Sequence, residues 1–143
     1  MKSGWMGLAA MSVALAGGAA NADTLKFTTT LKGADEVPAN DTQGVGKVTA
    51  TLDTDSKVLK YKVTYSGLTG PAVAAHFHGP AAPGQDAPPV VPVPSKDLAN
   101  PMRGTATLTV EQVGQLEGGK WYFNIHTAAH PGGEVRGQIE ELP

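Results

Sequence analysis

Three stretches of the sequence alternate between apolar and polar residues, and this period of two constrains the fold more than any other feature. The alternation runs through residues 24–31, 47–52 and 59–66. Successive side chains of a β-strand point to opposite faces, so the pattern predicts half-buried antiparallel strands. The turn-forming residues 53–56 separate two of these stretches, which predicts a β-hairpin.

The rest of the chain extends this pattern. Further strands are predicted at about residues 73–78, 90–93, 104–109, 121–127 and 134–140. Thr109 and Gln112 have the spacing of a capping box, which predicts one short helix at about residues 110–116. We therefore expect an all-β fold: an antiparallel Greek-key β-sandwich or flattened barrel of about seven to eight strands with one short helix.

The alternation also predicts the core. The apolar faces of the strands contribute Leu59, Tyr61, Val73, Ala75, Phe77, Trp121, Phe123 and Ile125. Gly132 and Gly133 are expected to supply positive φ angles in the turn before the last strand. Gly137 is expected to mark a bulge or a close approach of two backbones.

Residues 1–22 have the features of a secretory signal peptide. Lys2 precedes an apolar run, and Ala20-Asn21-Ala22 fits the small-x-small cleavage pattern. The run is too short for a membrane-spanning helix, and no second long apolar segment follows it. The sequence thus predicts a periplasmic or secreted domain of residues 23–143, outside the membrane after cleavage. The chain has no cysteine, so the fold depends on packing.

The charge composition argues against some partners. The chain has a net charge of −2, which disfavours nucleic acid. No run of basic residues points to a polyanion or a membrane surface. The oligomeric state is left open, and exposed strand edges allow a dimer.

All four histidines fall in two short segments. His76 and His78 alternate with the apolar face of one predicted strand, and His126 alternates with that of another, so these three project away from the core. If the two strands are neighbours, three imidazoles converge on one another. Because imidazole is the commonest metal ligand, we expect a copper site, with zinc as the alternative. His130 lies in the following turn and is an optional fourth ligand.

Other residues near these segments have two interpretations each. Glu134 could accept the free ring N–H of a liganded histidine, or it could be a surface carboxylate. Arg136 could lie beside an anion site, but a cross-strand salt bridge is favoured. Met102 could be an axial copper ligand, but packing is favoured.

Four segments together resemble the CHRD domain, which is named after chordin and also occurs in short secreted bacterial proteins. They are AHFHGPA at 75–81, GTATLT at 104–109, GKWYFNIHT at 119–127 and PGGEVRGQI at 131–139. The resemblance covers nearly all of residues 23–143. It implies an extracellular binding module and supplies no catalytic residues.

The histidine pattern is also similar to the copper half of copper/zinc superoxide dismutases. On that similarity His76, His78 and His126 would match copper ligands. The segment that bears the bridging and zinc ligands is missing, since residues 79–94 hold no histidine, and the disulfide is absent. Glu134 follows the Gly-rich turn where that family has its guiding arginine. These differences argue against dismutase activity more strongly than they argue against metal binding.

Three functions therefore remain open. The first is a metal-binding module for carriage, storage or protection. The second is an interaction module without metal, in which the loop at 80–94 binds a protein or polysaccharide; a hydrogen-bond network from His76 or His78 to loop carbonyls would favour it. The third is a superoxide-directed copper enzyme. An enzyme is the least favoured, because no nucleophile and base pair stands out.

Overall fold

The computed structural model describes residues 23–143, and the predicted signal peptide lies outside these residues. The strands are β1 (Thr24–Lys32), β2 (Val45–Asp53), β3 (Val58–Ser66), β4 (Ala72–His78), β5 (Pro89–Pro92), β6 (Met102–Thr107), β7 (Tyr122–Thr127), β8 (Val135–Gln138) and β9 (Glu140–Glu141). One helix, α1 (Val110–Glu117), lies between β6 and β7. The all-β prediction is confirmed.

The strands form one antiparallel, nearly closed barrel-like sheet. Their order is β5-β4-β7-β8-β1-β2-β3-β6, and the short β9 pairs with β1. The end strands β5 and β6 line a common groove, so they face each other across the remaining gap. The chain crosses this gap three times, between β3 and β4, between β5 and β6 and between β6 and β7. Such non-sequential neighbours are typical of Greek-key connections.

The turn between β2 and β3 and the N-terminal cap of the helix α1 form as the sequence predicts. The Asp53 carboxylate accepts hydrogen bonds from the backbone N–H groups of Asp55 at 2.9 Å and Ser56 at 2.8 Å, which closes the β2–β3 hairpin. The Thr109 hydroxyl accepts from the Gln112 N–H at 3.1 Å, and the Gln112 side chain accepts from the Thr109 N–H at 2.9 Å. This reciprocal pair is the predicted capping box, and it fixes the start of α1.

The core lies inside the barrel. It contains all but one of the predicted side chains: Leu59, Tyr61, Ala75, Phe77, Trp121, Phe123 and Ile125. Met102 is also fully buried there, as expected for a packing role. The prediction for Val73 is wrong, because this side chain is 54 % exposed. The register of β4 on β7 shifts between Ala72 and Ala74, so Val73 leaves the alternation.

Two glycines have the geometry that was expected of them. A Cβ on Gly137 would lie 2.3 Å from the Thr30 carbonyl oxygen, so two backbones meet closely there. Gly133 has a φ of 127°, whereas Gly132 does not share the positive φ that was predicted for it. Within residues 23–143, no helix has the length and apolar character needed to cross a membrane.

Candidate metal centre

The pairing of β4 with β7 brings the three predicted ligands together. The two strands are antiparallel neighbours, with His126 opposite Ala74, His76 opposite Asn124 and His78 opposite Tyr122. Ala75 and Phe77 point to the core, so all three imidazoles lie on the outer face. The small side chain of Ala74 leaves room for the rings to approach one another.

The three imidazoles form a compact cluster. One ring nitrogen from each of His76, His78 and His126 lies within 4.8 Å of the other two. The ring centroid of His76 is 5.3 Å from that of His78 and 5.2 Å from that of His126. Nδ1 of His76 and Nε2 of His126 are buried and have no hydrogen-bond partner among the described residues. Since an unpaired buried polar atom costs about 1–3 kcal/mol, these two nitrogens are suited to a further ligand.

Hydrogen bonds to carbonyls fix the tautomers of two of the rings. Nδ1 of His78 lies 2.8 Å from the Ala87 carbonyl oxygen, and Nδ1 of His126 lies 2.9 Å from that of Pro131. A carbonyl only accepts, so each Nδ1 carries the proton and each neutral ring has its lone pair on Nε2. Metal-binding histidines commonly have this arrangement, in which the far N–H is held by a backbone carbonyl.

Burial lowers the pKa of two of the three clustered histidines, His76 and His78. Burial is the main cause that lowers the pKa of His76, and the charges of His126 and His78 lower it further. Burial also lowers the pKa of His78, against the hydrogen bonds to Ala87 and Asn124, which raise it. Because metals bind the unprotonated nitrogen, both shifts favour metal binding down to a lower pH than free imidazole would allow.

The donor set fits copper or zinc. Both ions take imidazole nitrogens at about 2.0–2.1 Å, which places the nitrogens of a tetrahedral site roughly 3.3 Å apart. The 4.8 Å spread of the present nitrogens is wider, so the rings have to rotate inward to hold an ion. Three protein ligands leave a fourth position for water or an anion.

The predicted fourth ligand is not part of this cluster. His130 lies in the turn after β7, where its backbone N–H donates to the Thr127 carbonyl at 3.1 Å and its carbonyl accepts from the Gly133 N–H at 3.0 Å. Its imidazole does not join the group of converging ring nitrogens.

Glu134 is completely buried, and its hydrogen-bond partners are not the histidine ring N–H that was predicted. Its carboxylate accepts hydrogen bonds from the hydroxyl groups of Thr42 at 2.8 Å, Thr127 at 2.7 Å and Thr69, and from the Thr69 backbone N–H at 3.0 Å. Burial raises its pKa, but these hydrogen bonds outweigh burial and hold the pKa below its usual value. Glu134 thus joins two loops to β7, and the ring N–H of His126 donates to Pro131 instead.

The Arg136 side chain lies beside the histidine cluster, but it is held in place by contacts with other residues. Its guanidinium is 3.5 Å from the centre of the Tyr122 ring, and that ring stacks on His78 at 4.6 Å. Arg136 also donates to Asp86 at 2.8 Å and to the Gln85 carbonyl. The favoured salt bridge therefore forms, but with the loop after β4 and not across the strands.

Asn124 and Glu36 belong to this site, although the sequence did not single them out. The Asn124 side-chain amide is buried and lies 2.9 Å from Nε2 of His78, so this nitrogen can bind a metal ion only when the contact with Asn124 breaks. The Asn124 amide also lies near the Glu36 carboxyl. Burial raises the pKa of Glu36 to about 7, against the nearby charge of Arg136 and the Asn124 amide, which lower it. Asn124 shares the predicted outer face with His126, but no local pattern places Glu36 here.

The comparisons with known proteins agree with the sequence motifs. A family model described as the CHRD domain matches residues 27–139, which is most of the chain. Searches of the curated proteins and of the solved structures gave no match. The matched range contains most of β1, all of β2 to β8 and all three clustered histidines. The chain therefore belongs to the CHRD-domain family.

Proposed function

We propose that this protein is an exported metal-binding module that holds one copper ion through His76, His78 and His126. The observation that carries the proposal is the pair of buried, unpartnered ring nitrogens, Nδ1 of His76 and Nε2 of His126, within a cluster of three imidazoles. A bound ion would satisfy both nitrogens at once. Membership in the CHRD family, whose domains are extracellular-type modules, supports a location outside the cytoplasm.

Copper is proposed over zinc on chemical grounds. For a given nitrogen donor set, divalent copper binds more tightly than zinc. The three nitrogens and one open position suit carriage or protection, in which an ion is bound and later released. Because Arg136 is held by Asp86 and the Tyr122 ring, it is not available to attract an anion to the cluster. We therefore do not propose a superoxide-directed enzyme.

Titration of the tag-free, metal-stripped chain with copper(II) and with zinc tests the proposal. We expect one equivalent of copper to bind, with nitrogen hyperfine structure in the electron paramagnetic resonance spectrum. An ion that binds only the folded state at about 100 times its Kd should stabilise the protein by about 2.7 kcal/mol. Affinity should fall on acidification, since protons compete for the same nitrogens.

The fourth histidine provides a matched control. His76→Ala/His126→Ala should lose stoichiometric binding, whereas His130→Ala removes an imidazole outside the cluster and should bind as the wild type does. If the wild type binds copper and zinc no more tightly than the double variant, the metal site does not exist.

The second candidate is an interaction module without metal. The hydrogen bond from His78 to the Ala87 carbonyl favours it, because this ring helps to order the loop after β4. The Tyr122 hydroxyl donates to the same carbonyl at 3.2 Å, and Arg136 holds Asp86 and Gln85 of that loop. On this proposal the recognition surface is the loop before β5, residues 80–88 of the segment that was predicted as a loop at 80–94. Weak metal binding by the wild type, together with loosening of this loop in His78→Ala, would support it.

A further inference from the structure

A basic face lies on the outer side of β1, β2, β3 and β6, away from the strands of the histidine cluster. We define it by its five cations, Lys26, Lys47, Lys60, Lys62 and Arg103, all of them exposed. They line one groove whose lining includes no acidic residue. The chain has eleven cations and thirteen acidic residues in total, so the charge is distributed very unevenly.

The strand register assembles these cations from distant parts of the sequence. One row across the sheet is Lys26, Thr51, Lys60 and Thr105. The next is Glu140, Thr28, Thr49, Lys62 and Arg103, with its one carboxylate at the β9 end, three strands away from Lys62. Lys62 and Arg103 are direct cross-strand partners. Like charges that face each other in this way destabilise a sheet. No cation of the basic face takes part in a salt bridge within residues 23–143, so their repulsion is not relieved inside the chain.

We infer that the basic face binds an anionic polysaccharide that carries carboxylate or sulfate groups. Cations in neighbouring rows are about 7 Å apart along a strand, and neighbouring strands are about 4.8 Å apart. A flexible chain of charged sugars can place its acidic groups against such an array. The interleaved threonines, Thr49, Thr51 and Thr105, supply hydroxyl groups that pair with sugar hydroxyls.

Two observations favour a polysaccharide over other polyanions. Two aromatic residues line the groove, Phe27 and Tyr61, and both belong to the core, with exposures of only 1 % and 4 %. The face therefore offers no platform for stacking bases. The face is a groove and not a protruding apolar surface, which disfavours insertion into a bilayer. The proposal does not depend on metal binding, because none of these strands carries a clustered histidine.

The test measures Kd of the purified chain for heparin and polygalacturonate as probes, with neutral dextran as the uncharged comparison. We expect binding to the two polyanions, weakening as salt rises above about 0.15 M because exposed charges are then screened. Lys60→Gln/Lys62→Gln/Arg103→Gln should weaken binding at least tenfold and flatten the salt dependence. These side chains are exposed, so the variant should keep the wild-type unfolding transition.

Lys57→Gln/Lys96→Gln/Lys120→Gln is the matched control, since it changes the net charge equally at positions that do not line the groove of the basic face. It should keep most of the affinity, as should His76→Ala/His126→Ala. Equal losses in the two triple variants, or no binding of either polyanion at low salt, would overturn the inference. Tighter binding to a DNA duplex or to phosphatidylglycerol vesicles would overturn the choice of a polysaccharide.

Discussion

Replacing Glu36 by Gln should stabilise the protein in a strongly pH-dependent way. The Glu36 side chain is almost completely buried, with 5 % exposure, and its Oε1 atom has no hydrogen-bond partner among the described residues. Burial raises its pKa from 4.5 to about 7. Glutamine has nearly the same shape and no charge, so the variant removes the cost of ionising this group inside the fold.

The direction of the change in stability follows from the protonation of Glu36 in the folded and in the unfolded state. Below pH 4.5 the carboxyl is protonated in both the folded and the unfolded state, so the substitution should change stability little. Between pH 4.5 and 7 the unfolded state releases the proton first, and the wild type loses stability. Above pH 7 the loss is complete, at roughly 3 kcal/mol, since each tenfold change in a binding constant corresponds to about 1.4 kcal/mol.

Urea unfolding followed by tryptophan fluorescence at several pH values measures this difference. Because unfolding slopes are about 1–3 kcal/mol per M urea, the midpoint of Glu36→Gln should exceed that of the wild type by about 1–3 M at pH 8. At pH 4 the two midpoints should nearly coincide. Glu117→Gln, which removes an exposed carboxylate at the end of α1, controls for the change in net charge. A Glu36→Gln effect that is the same at pH 4 and pH 8, or destabilisation at pH 8, would refute the reasoning.

Three further substitutions test the packing and the cap. Gly137→Ala should destabilise the fold by about 1–3 kcal/mol. The new methyl group would meet the Thr30 carbonyl oxygen, so one of the two backbones would have to move. Gly114→Ala is its counterpart in α1, where nothing lies within 4 Å of the new Cβ, and it should stabilise by about 0.5–1 kcal/mol. Thr109→Ala should cost about 0.5–2 kcal/mol through loss of the capping box, whereas Thr109→Ser should retain most of it. Urea midpoints measure all three, and a neutral Gly137→Ala or Thr109→Ala would contradict the contact or cap assigned to it.

Much of the barrel could be predicted from the sequence because its signals are local. Alternation with a period of two assigns each side chain to a face, so the core residues of β3 and β7 could be named in advance. The prediction failed at Val73, where a register shift breaks the alternation. Such a shift depends on the partner strand, which local patterns do not specify.

The candidate site could be predicted only in part. Alternation placed His76, His78 and His126 on outer faces, but their convergence depended on β4 and β7 being neighbours. The remaining contacts are non-local: Glu134 meets Thr42 and Thr69 from two loops far along the chain. The raised pKa of Glu36 has the same origin, since its carboxyl is buried only after the sheet has formed, and burial outweighs the lowering effects of Arg136 and Asn124.

The sequence by itself determined the strands, their inward and outward faces, the β2–β3 hairpin and the cap of α1, because each depends on residues within about ten positions of one another. Only the tertiary structure decided which strands are neighbours. The sequence contains no basic run, yet pairing β1, β2, β3 and β6 gathers five cations on one face. The same closure of the sheet sets three imidazoles together on β4 and β7, since strand order is fixed by packing across the whole barrel.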